Sequence, residues 1–190
     1  MNNKLIIVEG PQGTGKTSLT NYLRDNIASS NLYRLAGHRD KSKDGKGYSG
    51  MMYDALMDYL EKMQYVPVTT IFDRTVFSEE VYARLGYKPY SFSDIYYKTL
   101  NRLNKLNCNV YFLSLYLKDE KLYEKRLARE RHHNYQSFST HNSIDQQKVY
   151  KDLTDEIEEK YTNIKIYRIP MDDFDKAYKK IDKLFGIKSK

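Results

Sequence analysis

The stretch LIIVEGPQGTGKTSLTNYL, residues 5–23, decides the fold. It begins with four apolar residues, Leu5, Ile6, Ile7 and Val8, which read as a short strand buried on both faces. GPQGTGKT, residues 10–17, follows and matches the phosphate-loop pattern G-x-x-x-x-G-K-[ST]. Beyond it, Leu19, Leu23 and Ile27 recur every fourth position, so residues 16–28 are expected to form a helix with one buried face. Strand, glycine loop and helix in that order make an anion cradle. Gly10, Gly13 and Gly15 let the backbone curl until its N–H groups converge. The helix adds the positive end of its dipole. Pro11, Gln12, Thr14 and Ser18 complete the loop and first turn. Lys16 is placed to reach β- and γ-phosphates, and Thr17 to hold Mg²⁺ through its hydroxyl. The implied ligand is a nucleoside triphosphate, ATP with Mg²⁺.

The same alternation continues outward. Strands are expected at 32–35, 68–72, 110–117 and 165–169, the 110–117 segment being the strongest. Helices are expected at 51–63, 78–85, 93–106, 120–131, 143–161 and 172–185. Ser78 is placed to cap the third of these helices, counting 16–28 as the first. GYKPY at 86–90 breaks the pattern, and HRDKSKDGKG at 38–47 reads as a loop. Regular strand–helix alternation implies a parallel sheet covered on both faces. The expected fold class is therefore α/β, a three-layer sandwich of the P-loop NTPase type. Its central sheet has about five parallel strands, and a lid spans about residues 126–142 of a single 190-residue domain.

IFDRTVFSEEVY, residues 71–82, shows what the triphosphate faces. A strand delivers Asp73 and Arg74 to its end, and Ser78 and Tyr82 follow at helical spacing. An aspartate there, close to the phosphate loop, can hold the metal through water. An arginine beside it can fork onto a second phosphate. EKRLARER, residues 124–131, adds Arg126 and Arg129 on one helical face, with Arg131 at the root of a polar stretch. Arginines so placed can close over the transferring phosphoryl group and exclude water, the competing acceptor. Other P-loop classes fit less well. Asn104–Lys105 is followed by Leu106–Asn107, so the base-reading N-K-x-D of GTPases is missing. Asp73–Arg74 replaces the acidic pair usual in helicases.

These residues together resemble the thymidylate kinase-like nucleoside monophosphate kinases. The resemblance rests on Glu9–Gly10 opening the loop and on Asp73, Arg74, Ser78 and Tyr82 at the family's D-R-[Y/H]-x-x-S-x-x-A-Y spacing. An arginine-bearing lid follows a central strand, and Tyr150 lies in the next helix. The resemblance implies that Asp73 supports the metal and Arg74 binds the acceptor's phosphate. It implies that Glu9, Gln12, Ser78 and Tyr82 line the acceptor pocket, and that Arg126 lies against adenine. The departures concern the acceptor. Gln12 stands where the family has a carboxylate near the sugar. RLAGHRDKSKDG replaces the R-E-P-G turn, with Arg39 a loosely spaced substitute for its arginine. Met52 falls where the family places an arginine on the thymine edge. The implied activity is ATP-dependent phosphorylation of a pyrimidine deoxynucleoside monophosphate, thymidylate-like or a modified relative. Two alternatives stay open: a deoxynucleoside or 5′-polynucleotide kinase, with Glu9 or Glu79 as base, and a regulatory P-loop ATPase.

Composition sets the outer bounds. The formal net charge is +7, from 32 Lys+Arg against 25 Asp+Glu, but the lysines are scattered rather than arrayed as one stripe. Small-molecule nucleotides are thus the expected partners rather than nucleic acid. No apolar run reaches membrane length, and the N-terminal one is short for a signal peptide. One cysteine, Cys108, rules out an internal disulfide and fits a reducing cytoplasm. His132, His133 and His141 lack a recognised ligand spacing and read as solvated lid residues. Glu79 and Glu80 read as first-turn acids favoured by a helix dipole. A homodimer is left open.

Overall fold

A computed structural model of the chain describes residues 3–35, 44–128 and 139–188. Its elements run β1 (Lys4–Glu9), α1 (Lys16–Asn26), β2 (Ser30–Arg34), α2 (Asp44–Met63), β3 (Thr69–Asp73) and α3 (Val76–Arg84). They continue α4 (Ser93–Asn104), β4 (Asn109–Tyr116), α5 (Lys121–Leu127), α6 (Thr140–Lys160), β5 (Ile164–Pro170) and α7 (Phe174–Phe185). The five strands form one parallel sheet in the order β2-β3-β1-β4-β5.

Strand period two divides the core. Leu5 and Ile7 of β1, with Phe72 and Phe112, face α2, α3, α4 and α6. Ile6 and Val8, with Ile71, Leu113 and Leu115, face α1, α5 and α7. Both layers are buried, which is why Leu5–Val8 of β1, Ile71 and Phe72 of β3, and Val110, Phe112 and Leu113 of β4 are apolar. Chain order reverses between β3 and β1, so the crevice beyond their carboxyl ends is the natural ligand position of such a sheet. Register fixes what lines it: Val8 pairs with Asp73, and Arg34 pairs with Asp73 from the other side.

Two local expectations are corrected. Residues 44–47, expected as loop, are the first turn of α2. Their helix is held against α4 by a Lys46–Asp94 ion pair of 2.9 Å. A Cβ on Gly50 would sit 3.0 Å from Ile95, so small residues let α4 approach closely. Helix α3 begins at Val76, not Ser78, because the Ser78 hydroxyl bonds Glu9 rather than a helix end. Glu79 lies in the first turn of α3 as expected, and both it and Glu80 are buried, paired with Lys88 and Arg84 respectively. The expected lid falls mostly on residues 129–138, outside the described residues, whereas 126–127 end α5 and 140–142 begin α6. No helix among the described residues is long and apolar enough to cross a membrane.

Candidate functional site

The loop between β1 and α1 is tied down at both ends. Gly10 has φ 146°, and a Cβ there would lie 2.5 Å from the Leu115 carbonyl oxygen of β4. Gly15 has φ 88° and lies under the Phe174 ring, 2.8 Å from where its Cβ would be. Only glycine meets both demands. Inside the loop, Thr14 Oγ1 donates to the Pro11 carbonyl at 2.9 Å. Lys16 Nζ donates to the carbonyls of Gly10 and Pro11 at 2.8 and 2.6 Å. The ammonium is thus buried over the loop that anionic oxygens would occupy.

The metal-ligand candidates are already in contact. Thr17 Oγ1 donates to Asp73 Oδ2 at 2.9 Å, and Thr20 Oγ1 reaches the same oxygen at 3.4 Å. A hydroxyl and a carboxylate beside a phosphate loop suit Mg²⁺, which takes one or two protein oxygens and fills its octahedron with phosphate and water. Arg34 Nε approaches Asp73 Oδ2 at 3.5 Å, and its Nη2 donates to Asn21 at 2.5 Å.

Arg74 adopts φ 72°, which costs a residue with a Cβ about 1–2 kcal/mol. Its N–H donates to the Val8 carbonyl at 3.2 Å, and its Nη1 to the Tyr82 hydroxyl at 3.0 Å. That is its one side-chain hydrogen bond among the described residues. Most of its five donors therefore have no acceptor among the described residues. Tyr82 also receives Gln12 Nε2 at 3.2 Å. Arg74, Tyr82 and Gln12 thus form one hydrogen-bonded set at the loop.

Glu9, expected in the acceptor pocket, is fully buried at the end of β1. Its Oε1 accepts from the Thr75 N–H at 2.5 Å and the Thr75 hydroxyl at 3.0 Å. Its Oε2 accepts from Ser78 at 2.7 Å and from Tyr150 at 2.9 Å. Four donors fill the carboxylate's acceptor positions. Burial pushes its carboxyl above the usual value of 4.5, while Ser78, the Arg74 charge, Tyr150 and Thr75 pull it back. The Ser78 hydroxyl therefore meets Glu9 and Tyr150.

On the far side, Arg126 donates to the carbonyls of Met171 at 2.6 Å and Gly13 at 3.4 Å. Its guanidinium lies 4.8 Å from the Phe174 ring centroid. Met52 is half-buried and packs on the α2 side of the core, whereas the next residue, Tyr53, points fully inward. Pro11 and Thr14 are buried, and Ser18 is exposed on α1. Arg39, Arg129 and Arg131 lie outside the described residues, as do His132 and His133; His141 pairs with Asp145 at 3.2 Å.

Reading the sequence missed four contributors. Arg34 reaches Asp73 only because of the β2–β3 register. Gln146 accepts the Gln12 N–H at 3.2 Å. Gln147 clamps both backbone groups of Leu117 at 2.9 and 3.0 Å. Phe174 covers Gly15 from 159 positions further along the chain. Only Gln146 and Gln147 carried a signal: two adjacent amides on the helix that also carries Tyr150.

This fold is an α/β P-loop kinase-like fold, and solved structures share it. A thymidylate kinase from Candida albicans superposes with a TM-score of 0.65 at 14% identity, covering 97% of this chain and 92% of that one. A deoxyadenosine kinase from M. mycoides, solved with the products dCMP and dCDP, superposes at 0.59 with 16% identity, covering 97% of this chain and 100% of that one. The same kinase with dATP gives 0.55 at 13% identity, over 96% and 99%. No family model matches the chain, and no curated protein matches it in sequence.

Proposed function

We propose that this protein is a kinase that moves the γ-phosphoryl group of ATP onto a deoxynucleoside monophosphate, giving the diphosphate and ADP. The observation that carries this reading is Arg74. Its guanidinium is held by Tyr82, which also meets Gln12 of the phosphate loop, and it keeps donors for a second anion beside that loop. The fold shared with nucleotide and nucleoside kinases supports a phosphotransferase and leaves the acceptor open.

The loop amides and Lys16 hold the ATP phosphates, Lys16 exchanging its two loop carbonyls for phosphate oxygens. Thr17 and Asp73 would hold Mg²⁺, which would neutralise charge between β- and γ-phosphates. Arg126 and Phe174 offer a cationic and an aromatic face for the adenine. Arg74 fixes the acceptor phosphate in line. An acceptor oxygen then forms its bond to the γ-phosphorus as the bond to the β-bridging oxygen breaks. A phosphate monoester is already a nucleophile, so alignment and charge neutralisation suffice without a strong base.

Glu9 favours a second reading, a nucleoside acceptor. It is a buried carboxyl raised in pKa within electrostatic reach of Arg74, as a base for a 5′-hydroxyl would need to be. Its four protein donors weigh against that role, because a base must accept from its substrate. Incubating the protein with ATP, Mg²⁺ and a panel of nucleosides, monophosphates and a 5′-hydroxyl oligonucleotide separates the readings. Monophosphates should gain phosphate. Transfer confined to nucleosides or oligonucleotides would reassign the acceptor, and hydrolysis without any acceptor would favour a regulatory ATPase.

A further inference from the structure

Two glutamates, Glu9 at the end of β1 and Glu79 on α3, are buried, and they are satisfied very differently. Glu9 accepts four hydrogen bonds from protein. Glu79, 3% exposed, meets one group among the described residues, the Lys88 ammonium at 2.9 Å from Oε2. An ionised carboxylate has about four acceptor positions, and leaving most of them empty in the interior is costly. The Tyr90 hydroxyl shares the deficit: it is buried and has no hydrogen-bond partner among the described residues. Tyr53 is 1% exposed. Burial first, then Glu79, Glu9 and Tyr90, push the Tyr53 hydroxyl well above its ordinary value, with Arg74 opposing. Tyr53 and Tyr90 both pack against the Phe92 ring, at centroid distances of 6.0 and 6.5 Å. These groups come from three elements: Tyr53 from α2, Glu79 from α3, and Lys88 and Tyr90 from the α3–α4 connection. Glu79 lies one helical turn before Tyr82, the residue that orients Arg74.

We infer that Tyr53, Glu79, Lys88 and Tyr90 form the base-reading end of the acceptor site, built for an amino-bearing nucleobase such as cytosine or adenine. An exocyclic amine brings two N–H donors to a carboxylate that lacks donors. The Lys88 ammonium and the tyrosyl hydroxyls donate to the ring nitrogen or carbonyl beside it. Thymine offers one N–H between two carbonyls, which leaves the carboxylate underserved and faces acceptors toward it. This inference deepens the monophosphate-kinase reading and rests on its placement of the acceptor beside Arg74.

The test is binding of deoxycytidylate, deoxyadenylate and thymidylate by calorimetry, with phosphoryl transfer measured separately. At least one amino-bearing nucleotide should bind about tenfold or more tighter than thymidylate. Tyr90→Phe removes a hydroxyl with no partner among the described residues, so the thermal midpoint should hold while that affinity falls several-fold. Glu79→Gln should cost about 10- to 100-fold in affinity and flatten the preference. The reversed pair Glu79→Lys with Lys88→Glu keeps an ion pair but moves the carboxylate, so the preference should stay lost. Equal binding of all three nucleotides, or no binding, overturns the inference. So does a preference that survives Glu79→Gln and Tyr90→Phe, or that the reversed pair restores. Selective binding without transfer would sink the kinase reading alone; transfer without base preference would sink this inference alone.

Discussion

Gly10→Ala should be among the most damaging single-methyl additions in the chain, and its cost can be worked from two distances and an angle. Gly10 has φ 146°, a region that costs a residue with a Cβ about 1–3 kcal/mol. The new Cβ would also lie 2.5 Å from the Leu115 carbonyl oxygen and 3.2 Å from the Leu115 Cβ. That oxygen belongs to β4, which is hydrogen-bonded to β1 on one side and β5 on the other, so it cannot withdraw freely. Forcing a methyl into such a contact costs about 1–3 kcal/mol more. The sum, about 4 kcal/mol, is a large part of a typical domain's total stability. For a chain of this size it lowers the melting midpoint by about 10 °C. Differential scanning calorimetry reads it directly, with Gly47→Ala as control. Gly47 lies inside α2 with nothing within 4 Å of its would-be Cβ. Alanine there should stabilise by about 0.5–1 kcal/mol. A Gly10→Ala midpoint within about 2 °C of the parent, or a Gly47→Ala loss as large as that of Gly10→Ala, would refute the assigned packing of the loop on β4.

Three further outcomes are expected. Tyr150→Phe deletes a 2.9 Å donor to buried Glu9 and should cost about 1–3 kcal/mol in urea unfolding with an unchanged denaturant slope. Glu9 has its folded pKa raised above 4.5, so the folded state binds more protons than the unfolded chain above that pH. Stability contributed at this site should therefore fall as pH rises from 4.5 toward the raised value, and the parent-minus-Glu9→Gln difference should shrink over that window when unfolding is followed by urea titration. Phe174→Ala removes the ring stacked on Arg126 at 4.8 Å and should weaken ATP about tenfold while leaving acceptor KM unchanged, as read by steady-state kinetics at saturating partner.

The fold was legible because its determinants are local. The continuous apolar run of β1, the glycine spacing of residues 10–15 and the four-residue periodicity of α1 all sit within one stretch. The parallel sheet followed from strand–helix alternation, and its five strands lie where apolar runs predicted them. Helix starts were less legible. Asp44–Gly47 looks like loop by composition, and only the approach of α4 makes it helix. Ser78 has the chemistry of a cap, but a glutamate 69 positions away takes its hydroxyl. The site divides in the same way. Lys16, Thr17, Asp73 and Arg74 were visible as a motif and a strand end. Arg34 and Phe174 enter through register and chain return, which no local pattern encodes. Glu79 was visible as an acid, but its burial and its thin set of partners belong to tertiary structure.

The central claim is that two phosphorylated ligands meet end to end between the loop and Arg74. A bisubstrate molecule tests it most directly, with adenosine joined through a chain of five phosphates to a deoxynucleoside. If the claim holds, the molecule binds at least about a hundredfold tighter than ATP alone, because one tether supplies both anion sites. Arg74→Ala then removes most of that gain while ATP affinity stays near the parent value. Binding no tighter than ATP, or a gain that Arg74→Ala leaves intact, would contradict the two-anion site.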